Sequence, residues 1–188
     1  MTQVLVPIAN GTEEIEAVCI IDTLRRAGFH VTVASVHETT SVTCSRQVQI
    51  VADCLLSDCR DKIYDLIVLP GGAKGAENLA TSELLTKLLK KQAAEHRWFA
   101  AICASPAIVL YPLGLLPQRA TCHPSVEDKI ESVAKQHIKE RVVVDVEKKC
   151  VTSRGPGTAI EFALKLIECL AGQELRQNVE TPMITASS

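Results

Sequence analysis

Four groups of residues in this chain have types and spacings that could do chemistry. The first is Trp98-Phe99-Ala100-Ala101-Ile102-Cys103-Ala104-Ser105-Pro106-Ala107, where five residues suited to a buried strand run into a cysteine, two small residues and a proline. A helical pattern with Ile108, Val109 and Leu110 follows, so the predicted order is strand, tight turn, helix. Pro106 fits the first helical turn, whose unpaired amides then point back toward residues 103 to 105. A thiol at such a helix end is expected to ionise below its free pKa of about 8.5, and a value near or below about 6 is predicted. A sharp strand-to-helix turn that lifts a nucleophile above a parallel sheet is the nucleophile-elbow arrangement, here with alanines where that signature has glycines. The competing reading is a small hydrophobe in the core, the ordinary fate of a free cysteine.

The other three groups could assist it. Gly71 and Gly72 follow a strand directly, and without a Cβ they let backbone amides approach a developing oxyanion, as does the amide of Ala104; a plain tight turn explains the same two glycines. Glu16 leads an otherwise uncharged run, Ile15 and Ala17-Val18-Cys19-Ile20-Ile21, read as buried on most sides. Its carboxyl is then either paired with Arg25 or Arg26, or protonated and able to donate a hydrogen bond to a thiolate and to move protons near neutral pH. Glu13 and Glu14 need only the favourable field of a helix N-terminus. His123, in a loop before Pro124, is either the partner of a catalytic cysteine or a capping, solvated histidine. His30, His37, His96 and His137 lie in surface-like segments and are read as solvated.

The elements that must position these residues alternate along the chain. Gln3 to Ala9 reads as a strand, Asn10-Gly11-Thr12 as a turn, Glu13 to Ala27 as a helix closed by Gly28, and Phe29 to Val36 as a strand. Residues 37 to 56 break the rhythm, with Val42-Thr43-Cys44 and Val48-Gln49-Ile50-Val51 forming a small inserted hairpin. Asp65 to Leu69 is the next strand, Pro70 to Gly75 a loop, and Ser82 to Glu95 a helix. Beyond the elbow come Tyr111 to Gly114, a short segment from Ala120 to Cys122 and a helix from Ser125 to His137. Two short strands follow, Val142 to Val146 and Cys150 to Ser153; Gly155-Pro156-Gly157 then opens a helix from Thr158 to Leu170, and a polar segment from Gly172 closes the chain. Repeated units of this kind predict an α/β doubly wound sheet with helices on both faces, and sites in such sheets gather at the carboxyl ends of strands.

Composition narrows the class. The 188 residues suit a single domain spanning 1–188, and 47% hydrophobic against 3% aromatic content makes the core aliphatic. Twenty basic and 22 acidic residues, a net charge of −2, give no nucleic-acid or anionic-membrane surface. The 8 cysteines include no CxxC pair, and Cys54 and Cys59 show no partner pattern. A reduced, cytoplasmic thiol set is expected, without zinc or a disulfide framework, and the apolar runs are too short to span a bilayer.

Five ordered motifs resemble one family. Gly11-Thr12-Glu13-Glu14-Ile15-Glu16, Cys44-Ser45-Arg46, Val68-Leu69-Pro70-Gly71-Gly72 with Lys74-Gly75-Ala76, Ala100-Ala101-Ile102-Cys103-Ala104, and Thr152-Ser153-Arg154-Gly155-Pro156-Gly157-Thr158 are similar to the ThiJ/PfpI superfamily. Within it they resemble the branch of the Parkinson-disease protein deglycase and its bacterial ThiJ-like relatives, over essentially the whole chain. The resemblance implies a flavodoxin-like α/β fold, a homodimer and no cofactor. By position it makes Cys103 the oxidation-sensitive nucleophile, Glu16 the protonated carboxyl beside it, Gly71, Gly72 and Ala104 the oxyanion-side backbone, and His123 the histidine of the eukaryotic type. It places Arg26 and Arg46 near the dimer interface, with Cys44 a second redox-sensitive thiol there. Ser105 departs from the pattern, standing where glycine or alanine is usual.

The implied activity is a glutathione-independent glyoxalase chemistry on methylglyoxal or glyoxal, extended as deglycation to their early adducts with Cys, Lys or Arg side chains. Two other functions stay open: an oxidative-stress sensor and chaperone in which Cys103 is oxidised to a sulfinate without turnover, and, ranked lower, a cysteine peptidase. A tail element from Gln173 to Ser188 is expected to narrow the site against the last of these.

Overall fold

The computed structural model describes residues 1–134 and 139–185. Nine strands and five α-helices are formed among them: β1 (Gln3–Ile8), α1 (Glu14–Arg26), β2 (His30–Ser35), β3 (Ser41–Thr43), β4 (Gln49–Val51), β5 (Cys54–Leu55), β6 (Leu66–Leu69), α2 (Ala73–Ala80), α3 (Glu83–Ala94), β7 (Trp98–Ile102), β8 (Val142–Asp145), β9 (Cys150–Ser153), α4 (Ala159–Ala171) and α5 (Gln173–Met183). Seven strands make one sheet in the order β5-β2-β1-β6-β7-β9-β8. All its pairs are parallel except the hairpin β8–β9. The four strands β1, β6, β7 and β9 are buried almost throughout, as strands covered on both faces must be. This is the expected flavodoxin-like α/β fold.

The connections place the site. β1 steps to β2 in one direction across the sheet, whereas β6 steps to β7 in the other. Right-handed crossovers therefore put α1 on one face and α2 with α3 on the opposite face. α4 packs beside α1, and α5 lies along α4. Where the winding reverses, the carboxyl ends of β1 and β6 diverge and leave a crevice. The turn after Ile8, the Pro70–Gly72 loop and the end of β7 all open onto it.

Several sequence expectations need revision. The stretch read as a loop up to Gly75 followed by a helix at Ser82 contains two helices, because α2 begins at Ala73. Gly75 conceals it: glycine is a poor helix former, but a Cβ there would lie 2.6 Å from the backbone of Thr12, so only glycine lets α2 press on that turn. The helix expected over Ser125 to His137 starts as a six-residue 3-10 turn, Pro124–Lys129. Val126, Ile130 and Ala134 are buried at fourfold spacing, so the periodicity was real without a regular α-helix behind it; residues 135–138, with His137, lie outside the described residues. The polar tail is a helix, α5, held to α4 by Arg176 bridging to Glu168 at 3.2 Å and by buried Val179; residues 186–188 lie outside the described residues. His37 is not merely solvated, since its Nε2 accepts the Asn10 N–H at 2.9 Å and so braces the turn after β1.

Candidate active site

Cys103 occupies the first position after β7 with φ of 65°. Left-handed backbone at a non-glycine residue costs on the order of 1–3 kcal/mol and persists only where the surroundings hold it. Here they do: the Cys103 N–H donates to Ser153 O at 2.9 Å, and its carbonyl accepts the His123 N–H at 2.8 Å. β9 and the loop before the 3-10 turn thus clamp the elbow from both sides. The helix behind it is one wide π turn of five residues, Pro106–Leu110. Aligned dipoles in so short a turn are few, so the expected helix field is weak. Two individual backbone amides near the sulfur, those of Gly72 and Ala104, favour the thiolate instead.

Glu16 reaches the same sulfur from the opposite side of the crevice. It is fully buried, and its Oε2 accepts the Gly71 N–H at 2.7 Å. The carboxyl faces Cys103 across Gly71, where an added Cβ would lie 2.5 Å from Cys103 Cβ and 2.7 Å from Glu16 Oε2, and Glu16 Oε1 is buried with no hydrogen-bond partner among the described residues. The ion pair considered for Glu16 is not formed: Arg25 bridges to Asp53 at 3.0 Å and Arg26 to Asp22 at 2.6 Å, both toward solvent. With burial as the main cause and the Glu13 charge adding to it, the Glu16 pKa rises to about 7. Glu14 behaves oppositely. Burial alone would raise it, but hydrogen bonds from Ser45 Oγ at 2.7 Å and the Arg46 N–H at 2.7 Å outweigh that and hold it below the usual carboxylate range. Its role, beyond the helix field, is to tie α1 to the β3–β4 hairpin.

The predicted acidity of Cys103 is reversed while Glu16 is charged. Burial, first, and the Glu16 carboxylate, second, push the thiol up to about 12, against the pull of the Gly72 and Ala104 amides. Above about pH 7 the pair retains one proton, chiefly on the sulfur, and the nucleophilic form is the minor one in which Glu16 holds it. Cys103 is 8% exposed, at the floor of the crevice.

The Pro70–Gly72 loop is fixed group by group. Ser105 Oγ donates to Pro70 O at 2.6 Å, Gly71 O accepts the Glu13 N–H at 2.9 Å, and the Gly71 amide is committed to Glu16. Of the two glycine amides considered for an oxyanion, Gly72 is the one not committed to Glu16, and it favours the anionic sulfur. Gly72 has φ of 87°, and a Cβ there would lie 2.3 Å from Gly11 O and 2.7 Å from Glu13 N. Gly72→Ala is accordingly expected to cost about 3 kcal/mol or more and to lower Tm by roughly 10 °C, measured by thermal unfolding. Gly157→Ala, with open space around its position and no positive φ, should leave Tm unchanged.

His123 lies beside the elbow through its backbone. Its Nδ1 accepts the Ser125 N–H at 3.2 Å and lies 2.8 Å from Ser125 Oγ, so the neutral ring carries its proton on Nε2. Cys44, read as redox-sensitive, is buried at the hairpin, where burial and the Glu14 and Glu13 charges push its thiol up to about 11. Arg46 and Arg26 are exposed. Among the described residues no cluster of His, Cys, Asp or Glu suits a metal ion, and no helix is long and apolar enough to cross a membrane.

Fold and site together define a flavodoxin-like α/β protein whose nucleophile-elbow cysteine faces a buried carboxyl across the switch point of the sheet. The sequence model of the DJ-1/PfpI family matches residues 2–169, and the chain belongs to that family. It is 50% identical over 92% of its length to protein DJ-1 homolog B of Arabidopsis thaliana, of which it spans only 39%. Over 93% of its length it is 37% identical to the glutathione-independent glyoxalase DJR-1.2 of Caenorhabditis elegans, covering 91% of that protein. Its backbone superimposes on oxidised Toxoplasma gondii DJ-1 with a TM-score of 0.94 at 46% identity, each chain covered to 100%.

Proposed function

We propose that the protein is a cofactor-independent glyoxalase that converts methylglyoxal to lactate and glyoxal to glycolate, and that the same attack on early glycation adducts makes it a deglycase. The observation that carries this reading is the buried Cys103–Glu16 pair, in which the Glu16 carboxyl and Cys103 Cβ both lie against Gly71 at the floor of the crevice. Cys103 sulfur adds to the aldehyde carbon while the proton held by Glu16 passes to the aldehyde oxygen, giving a hemithioacetal. The Glu16 carboxylate then removes the C1 proton to form an enediol and returns it to C2, leaving a thioester of lactate on Cys103. Water hydrolyses the thioester and releases lactate and the free thiol. A carboxyl with a pKa of about 7 exchanges protons in both directions at neutral pH. The glyoxalase name of the nematode relative supports the class of substrate. His123, whose neutral ring carries its proton on Nε2, is the candidate to donate a hydrogen bond to a substrate oxygen and so assist Glu16.

The site suits a second reading less directly. The amides of Gly72 and Ala104 and a protonated Glu16 would also hold a Cys103 sulfinate, which is the arrangement of an oxidative-stress sensor.

The working assembly is proposed to be a homodimer. The apolar run on α1 that reads as buried is open on one side, with Ile15 54% and Val18 50% exposed beside Val48 at 48% and Val51 at 72% on and next to the hairpin. A second copy covering this face would bring Arg26 and Arg46 to the interface, near Cys44.

The reading is tested by incubating the protein with methylglyoxal in heavy water without glutathione and following the products by proton NMR. Lactate should form, part of it with deuterium at C2 from exchange at Glu16. Consumption of methylglyoxal only into stable protein adducts, with no lactate, would sink the enzyme reading and favour the sensor.

A further inference from the structure

Cys54 and Cys59 show no pairing pattern in the sequence, yet the fold sets their sulfurs against each other. β5 ends at Leu55, and a 3-10 turn over Leu56–Cys59 folds the chain back across it. Asp58 Oδ2 fixes this turn by accepting the Leu55 N–H at 3.1 Å. The two Sγ atoms are 3.6 Å apart. A disulfide is about 2.05 Å long, so closure needs an approach of roughly 1.5 Å shared between two side chains. The pair also stands alone, because β5 lies four strand positions from β7, roughly 19 Å across the sheet from Cys103.

We propose that Cys54 and Cys59 form a dithiol–disulfide site, separate from Cys103, that low-molecular-weight disulfides of the glutathione type oxidise to an intrachain bond. Exposure assigns the roles: Cys54 is half-buried and meets the oxidant, and Cys59 is fully buried and resolves. The Cys54 thiolate attacks one sulfur of the external disulfide, forming a mixed disulfide and releasing one thiol. The Cys59 thiolate then attacks Cys54 Sγ and expels the second thiol. Two protein thiols lose two electrons and two protons, and one external disulfide gains them as two thiols.

The surroundings indicate which side is favoured. Burial and the neighbouring sulfur push the Cys54 thiol up to about 11, with Lys62 the one positive influence on it. Dithiols that are strong oxidants have a stabilised thiolate in the reduced form. This pair lacks that stabilisation, so its disulfide is the favoured state and forms slowly. The bond would pin the turn that ends edge strand β5.

Trypsin provides a clean readout, since cleavage after Arg46 and Arg60 leaves both cysteines in one fragment, Gln47 to Arg60. The full chain, as wild type and as Cys103→Ala to remove the competing thiol, is exposed to oxidised glutathione in mildly alkaline buffer, quenched with N-ethylmaleimide, digested and weighed. In both proteins the fragment is expected two hydrogens light and unlabelled, and Cys59→Ala should trap a glutathione adduct on Cys54. Recovery of the wild-type fragment with both thiols labelled, or with glutathione retained on Cys54, would overturn the proposal. That wild-type result needs no variant to fold, and it is independent of the glyoxalase reading.

Discussion

Replacing Cys103 with serine should lower the rate of lactate formation from methylglyoxal by on the order of 10³-fold or more while leaving the fold intact. Serine keeps the size and tolerates the same left-handed backbone, which Ser153 O and the His123 amide hold in place whatever the side chain. What it loses is ionisability. The Glu16 carboxyl has a pKa of about 7. Burial and that carboxylate push the thiol up to about 12, and an alcohol in the same place ionises far less readily still, so no comparable population of alkoxide forms, and nucleophilic catalysis fails with it. The comparison requires thermal unfolding and steady-state kinetics on the same preparations, with Cys169→Ala on α4 as a thiol remote from the elbow. A serine variant that keeps even a tenth of the rate would move the chemistry off this sulfur.

Much of this site was legible in the chain because it is built from local turns. The run Trp98 to Ile102 followed by Cys103, two small residues and Pro106 specifies strand, turn and helix entry, and the structure adds only that the helix is a single π turn. The hairpin around Ser45-Arg46-Gln47 was likewise visible in its alternating residues, and it pairs Val42 with Ile50 as an antiparallel ladder. Longer-range facts were not. That Glu16 faces Cys103 and not an arginine depends on the winding reversal between β1 and β6, which no local pattern encodes. The sequence suggests a helix dipole and a lowered thiol pKa, whereas burial and a neighbouring carboxylate dominate and raise it. α2 was hidden by Gly75, a residue chosen for a tight contact with Thr12 at the expense of helix propensity. Cys54 and Cys59 meet only because a 3-10 turn shortens the distance between residues five apart.

Glu16→Gln should separate three properties that the wild-type carboxyl combines. Glutamine can still accept the Gly71 N–H through its oxygen and present its amide to the Cys103 sulfur, so the packing is retained. It holds no titratable proton, and turnover should fall by about 10²- to 10⁴-fold, the usual contribution of a positioned acid or base. The thiol should respond in the opposite sense. Removing the anion that helps push Cys103 up to about 12 lowers its pKa, so iodoacetamide should alkylate the variant faster than wild type above neutral pH. Stability follows from the sign of the Glu16 shift. A carboxyl whose pKa is 4.5 when unfolded and about 7 when folded binds more protons in the native state between those values. Its contribution is therefore fully present below pH 4.5 and is lost as pH rises through about 7. At about 1.4 kcal/mol per pH unit the loss amounts to about 3 kcal/mol, and a neutral glutamine escapes it. Denaturant unfolding should then show wild type and variant similar in acid and the variant more stable by up to that amount in mild alkali. An inactive variant that is also slower to alkylate, with no stability gain at high pH, would mean that Glu16 is already ionised in the folded protein and does not hold the proton the reaction needs.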